Sequence, residues 1–217
     1  MPEGYFTTGN ISEKSRHILE EVRALGFRRD IEFAPDRAAL LVMDMQRYFL
    51  DGSSHAFIPS AAAIIPRIRR LAERFIERGL PVILTRHINT DDDAGMLARW
   101  WNDLIREDDP LSTIADEFAL PGAVTVRKTQ YDAFHGTELE HVLKERGVER
   151  IVVTGVMTHL CCETTAREAF VRGFYVYFAV DGTATYSEEY HRATVLNLSH
   201  GFAVPVLTED LEARLAK

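Results

Sequence analysis

Only two cysteines occur among the 217 residues, and they are neighbours, Cys161 and Cys162. Adjacent cysteines rarely bridge, so a disulfide framework is excluded and a reducing, cytoplasmic setting is expected. No stretch approaches the ~20 consecutive apolar residues that a bilayer-spanning helix needs. The start, Met1 to Phe6, lacks the charged and apolar regions of a signal peptide, so no membrane association is expected. A basic block is missing too. Lys plus Arg number 25 against 33 Asp plus Glu, giving a net charge of −8 and a pI of about 5.5. That balance argues against nucleic acid or an anionic membrane as partner. Internal repeats and low-complexity tracts are absent. What remains is ordinary globular usage, 46% hydrophobic and 27% charged, at a length that suits one large domain.

Within it, apolar runs alternate with amphipathic stretches. Ile18, Leu19, Val22 and Leu25 recur at helical spacing over 11–25, with Asn10 and Glu13 as a capping box and Gly26 as the stop. The run Ala38–Met43 is apolar throughout, as in a strand buried on both faces. Helices are then expected over 60–78, 137–146, 161–172 and 187–200, followed by a short terminal one. Strands are expected over 80–85, 123–127, 150–154, 174–180 and 203–207. This alternation predicts an α/β protein: a three-layer doubly wound sheet, mostly parallel, with helices on both faces and right-handed crossovers. Residues 1–36 read as an N-terminal helical extension and 37–217 as the main domain. Ligands of such sheets sit beyond the carboxyl ends of the strands, at a switch in strand order.

Three polar residues fall at strand ends. Asp44 directly follows six apolar residues, where an unpartnered carboxylate is costly; a helix cap or a structural ion pair would explain it as well as chemistry. Lys128 closes the strand from Ala123, and a lysine there is ordinarily a solvated tip. Cys161 lies where a strand and the run Gly155–Leu160 lead into a helix. Helix N-termini favour an anion and lower a thiol's pKa, although most cysteines are small buried hydrophobes, the role read for Cys162. Together the three sit on one edge of one sheet. A thiolate nucleophile needs a proton acceptor and a positive neighbour, and an acid with a lysine supplies both.

These residues lie in three blocks: Leu41-Val42-Met43-Asp44-Met45-Gln46, Lys128 to Phe134, and Gly155 to Cys161 continuing through Thr165-Ala166-Arg167. In order and spacing they resemble the isochorismatase-like hydrolase superfamily, which includes nicotinamidases and N-carbamoylsarcosine amidase, over roughly residues 37–212. The resemblance implies an Asp44–Lys128–Cys161 triad. It also implies a non-proline cis peptide at Val156–Met157, with the Met157 and Cys161 N–H groups aimed at an oxyanion. Gln46, Phe49, His87, Trp101, Tyr131, Phe134 and His159 are the candidate pocket residues, with Trp100 beside them.

Two departures narrow the activity. Nicotinamidases carry an Asp-x-His metal motif after the second strand; here His87-Ile88-Asn89 stands in its place. Too few ligands remain for a divalent cation, so neither a catalytic metal nor any other cofactor is expected, and His55 and His87 read as surface or pocket histidines. Isochorismatases resemble this chain around His159 but typically have glycine where it has Cys161. The sequence therefore points to a cysteine hydrolase cleaving a C–N bond of a small amide, carbamoyl or ureido compound through a thioester. Alternatives are ether hydrolysis with Asp44 as acid, a redox-responsive protein using both thiols, and a silent binding domain. The segment 89–121 reads as the lid that sets specificity. The resemblance further implies a homo-oligomer, dimer or tetramer, to which the apolar stripe within residues 1–36 could contribute.

Overall fold

Every residue of Ala38–Met43 is fully buried, which a strand achieves only with helices on both faces. In the computed structural model, which describes residues 2–26, 31–101 and 103–216, this segment is β1. Around it, in chain order, run α1 (Ile11–Ala24), α2 (Arg47–Leu50), α3 (Ala61–Glu77), β2 (Val82–His87), α4 (Leu97–Trp100), β3 (Val124–Lys128) and α5 (Leu139–Glu145). They are followed by β4 (Arg150–Val156), α6 (Glu163–Val171), β5 (Tyr175–Ala184), α7 (Glu188–Gly201), β6 (Val204–Val206) and α8 (Thr208–Leu215). The strands form one sheet in the order β3-β2-β1-β4-β5-β6, every pairing parallel. The α/β reading holds, and among the described residues no antiparallel strand joins this sheet. Strand order reverses between β1 and β4, so their carboxyl ends frame the crevice where such folds bind ligands.

Periodicity explains the layers. In α3, Ala61, Ile64, Ile68, Leu71, Ala72 and Phe75 turn one buried stripe to the sheet. Helices α3 and α8 pack together on β5, as do α6 and α7. Helix α1 bridges to both pairs through Lys14–Glu188 and Arg16–Glu209. Its residues Ile11, Ile18, Leu19 and Val22 are buried, and the helix packs against β5 and α7. That stripe is thus covered by its own chain and carries no argument about a second copy. Leu25 is exposed and does not join it. Of the 1–36 segment, residues 1 and 27–30 lie outside the described residues.

Local expectations fail where a side chain finds a distant partner. Asn10 caps no helix; its Oδ1 accepts from the Thr7 N–H, upstream (2.8 Å). Strand β5 runs past Val180 through Asp181-Gly182 to Ala184. A mid-strand acid reads as a break, but Asp181 is buried, accepting from Arg67, the Thr208 hydroxyl and the Thr208 N–H at the start of α8. Finally, β4 does not lead straight into an α-helix: a π-helical turn, Thr158–Cys162, intervenes.

Candidate active site

Strand ends and two backbone anomalies assemble the site. Asp44, just past β1, has φ +48, a left-handed conformation that few residues besides Asn, Asp and Gly tolerate. Thr85 on β2 holds it there: the Asp44 N–H donates to Thr85 Oγ1 (3.0 Å), and that hydroxyl donates to Asp44 Oδ1 (2.6 Å). Opposite, the Val156–Met157 peptide is cis, as the resemblance implied. The π-helical turn then brings Cys161 back toward the crevice.

The lysine joins the other two. Lys128 is 1% exposed, and its Nζ donates to Gln130 O (2.9 Å), His87 Nδ1 (3.1 Å) and Cys161 Sγ (3.3 Å). Asp44 Oδ2 lies 2.9 Å from the same nitrogen. That contact is an ion pair between two side chains with no exposed surface. Asp44, Lys128 and Cys161 thus meet at one point, as their strand-end positions suggested.

Burial opposes every charge here, and the pairing decides the outcome. For Asp44, burial pushes the pKa up, but the Lys128 ammonium outweighs it, helped by hydrogen bonds from the Thr85 hydroxyl and from Lys128, so the acid stays ionised. Burial would neutralise Lys128; Asp44 and Cys161 hold it charged. The Cys161 thiol differs, because burial exceeds the Lys128 attraction and pushes it up to about 12. The lowering expected of a helix N-terminus is therefore not realised, and the resting site holds a neutral thiol beside an ionised acid. A raised thiol pKa leaves a small thiolate fraction at neutral pH that grows about tenfold per pH unit. Alkylation of Cys161 by iodoacetamide is thus expected to accelerate past pH ~9, where ordinary thiols level off. Cys162 is fully buried with Sγ toward the Thr154 carbonyl, so peptide mapping should find Cys161 modified first. Preferential labelling of Cys162, or a plateau below pH 8, overturns this assignment.

Cys161 opens into a cavity of about 290 Å³ walled by side chains that are mostly apolar or aromatic. Of the sequence candidates, Phe49, His87, Trp101, Tyr131 and Met157 line it, with Trp101 Nε1 donating to Tyr131 OH (2.6 Å). Three candidates do not. Gln46 is buried beneath, bonded to both backbone groups of His87 and to Ser112 O. Phe134 stacks on Phe174, and His159 stacks on Tyr190 while bonding Thr185. Trp100 is exposed and lies outside the wall. Sequence reasoning missed Tyr48, Leu97, Asp103, Leu104, Ile105, Leu160 and Tyr186. Several lie in 89–121, whose irregular backbone shows no periodicity to read. At one side Tyr48 OH contacts His55 Nε2 (3.3 Å) and donates to Asp103 Oδ2 (3.4 Å). No lysine or arginine is among the described residues that line the cavity.

The chain matches the isochorismatase domain family over residues 38–210. It belongs to the isochorismatase family. Among relatives, it is 42% identical over 185 residues to nicotinamidase 3 of Arabidopsis thaliana, covering 82% of this chain and 88% of that protein. It is 31% identical to enterobactin synthase component B of Escherichia coli, covering 84% of this chain and 65% of that longer protein. A cysteine hydrolase from Pseudomonas syringae superposes with a TM-score of 0.81 at 27% identity, covering 87% and 96% of the two chains.

Membership raises the question of a metal. Asp44, His87 and Cys161 each offer one donor atom, all within 4.8 Å of one another. The Lys128 ammonium already lies 2.9–3.3 Å from all three, and the second nitrogen of His87 is bonded to Asn89. A divalent cation would have to share that point with a fixed positive charge, so this donor set does not fit a resident metal. Exhaustive dialysis against a chelator is expected to leave turnover within about a factor of two; loss restored by zinc or manganese would reverse the conclusion.

Proposed function

We propose that this chain is a cysteine amidohydrolase acting on a small, uncharged, planar amide, with nicotinamide the first compound to test. The observation that carries the proposal is the buried Asp44 carboxylate and the neutral Cys161 thiol gathered on Lys128 at 2.9 and 3.3 Å, at the floor of an aromatic cavity whose described wall residues include no lysine or arginine. On this reading Asp44 Oδ2 takes the thiol proton as Sγ bonds to the carbonyl carbon. The Met157 and Cys161 N–H groups receive the oxyanion. The protonated Asp44 then gives its proton to the leaving nitrogen, the C–N bond breaks, and water hydrolyses the thioester to a carboxylic acid. Lys128 holds acid and sulfur together throughout. Similarity to a nicotinamidase over most of both chains supports the amide as substrate.

Ether hydrolysis is the second reading, because the matching family and a 29% identical relative from Bacillus subtilis both carry the name isochorismatase. Isochorismate carries two carboxylates, and a cavity with Asp103 and no lysine or arginine in its wall suits it poorly. Nicotinamide, ureido compounds and isochorismate should be offered to the parent and to Cys161→Ala. Ammonia release from an amide by the parent alone supports the proposal; isochorismate turnover surviving in the variant defeats it.

A further inference from the structure

The geometry points to His87 as a positioning residue for the lysine: locked as its Nε2–H tautomer by Asn89, it presents an unprotonated Nδ1 to Lys128 and takes up an ammonium hydrogen for which Asp44 Oδ2 competes. This rests on the Asp44–Lys128–Cys161 reading above and assigns a role to a residue otherwise only part of the cavity wall.

The tautomer follows from hydrogen-bond bookkeeping. Asn89 Nδ2 lies 2.9 Å from the Thr129 carbonyl and 3.2 Å from Asp93 Oδ1, and both partners can only accept. The amide nitrogen must face them, which turns Oδ1 toward His87 Nε2 at 2.8 Å. An amide oxygen only accepts, so Nε2 carries the proton. The remaining nitrogen, Nδ1, is then an acceptor 3.1 Å from the Lys128 ammonium, a pure donor. Asp93 is itself paired with Arg127 (3.0 Å), which anchors the far end of the chain.

An ammonium has three hydrogens, yet four acceptors surround Lys128 Nζ: Gln130 O, His87 Nδ1, Cys161 Sγ and Asp44 Oδ2. Asp44 Oδ2, the atom proposed to accept the thiol proton, shares that ammonium with the other three at 2.9 Å. Remove the His87 acceptor, and three hydrogens suffice for the three acceptors left, so one is committed to Oδ2 and competes there with the thiol proton. Protonate Nδ1, and two cationic groups face each other at 3.1 Å. The groups facing His87 are Lys128 from β3, Asp44 beyond β1, Cys161 from the π-helical turn, Tyr131 across the cavity, and Asp93 through Asn89. Burial, then the Lys128 charge, lower the His87 pKa to about 4, in keeping with a ring that stays neutral.

The test needs no substrate. In protein labelled with 15N histidine, the His87 resonances, assigned by their loss in His87→Gln, should show a protonated Nε2 and a bare Nδ1, unchanged from pH 5.5 to 8. A protonated Nδ1, or titration near pH 6.5, overturns the inference. Asn89→Asp, made together with Asp93→Asn so that no two carboxylates meet, puts a carboxylate on Nε2, which favours the imidazolium. Its iodoacetamide rate at Cys161, taken as a ratio to the parent, should fall about tenfold between pH 8 and pH 6, whereas a ring that only fills space gives a flat ratio. His87→Leu should slow alkylation at least tenfold at every pH. Once a substrate is known, kcat should fall with KM within about threefold; a rise in KM alone would reduce His87 to cavity wall. Retained alkylation effects together with an inactive parent would defeat the proposed reaction and leave this inference standing.

Discussion

Cys161→Ala is expected to lower amide turnover by three orders of magnitude or more, because it removes the sulfur that lies between Lys128 and the cavity. Asp44→Asn should be as severe. With the thiol pushed up to about 12, little thiolate exists at neutral pH, and an asparagine cannot take its proton. The double variant should be scarcely worse than either single one, since groups that act as a unit are not additive. Lys128→Met strips the pairing from a fully buried carboxylate, so it should also destabilise the fold, by ~3–5 kcal/mol. Urea denaturation of each variant separates that loss from a catalytic one. Ether protonation makes a different forecast: Asp44→Asn abolishes it while Cys161→Ala costs little. A Cys161→Ala enzyme keeping more than about a tenth of parent activity, under ~1.4 kcal/mol of barrier, refutes the cysteine mechanism.

Gly155→Ala is expected to cost more than about 4 kcal/mol of stability or to prevent folding. A Cβ at Gly155 would lie 2.1 Å from the Met43 carbonyl oxygen and 2.6 Å from its nitrogen, both backbone atoms of the neighbouring strand. The residue also sits at φ +103, which L side chains avoid. Relief would require β1 and β4 to separate at the crevice, moving Asp44 away from Cys161. Gly147→Ala is the control. It too has positive φ (+64), but nothing lies within 4 Å of its Cβ position, so it should lose only about 1 kcal/mol. Equal urea midpoints for the two variants would show that close strand approach is not what Gly155 serves.

Asp44, Lys128 and Cys161 were legible because each interrupts or ends a pattern: a charge after six apolar residues, a cation closing a strand, a thiol opening a helix. Gln46, Phe134 and His159 share those blocks yet point elsewhere. Proximity in a motif does not set side-chain direction, and each satisfies itself locally, Gln46 with the His87 backbone and the rings by stacking. Tyr48, Asp103, Ile105 and Tyr186 reach the cavity from α2, the segment after α4 and the turn after β5. No spacing rule links residues that far apart.

The amino-acid sequence by itself determined the alternation of buried strands and amphipathic helices, because periodicity and apolar runs are local properties that dictate which faces must leave water. It also placed Asp44, Lys128 and Cys161 on the carboxyl edge. Tertiary structure decided the rest, through partners distant along the chain. Thr85, 41 positions from Asp44, holds that acid in place. Burial makes Cys161 a neutral thiol, against the expectation for a helix N-terminus. Whether a side chain ionises, and where its last proton sits, depends on the polar atoms and the water left around it, and only the folded chain brings those together.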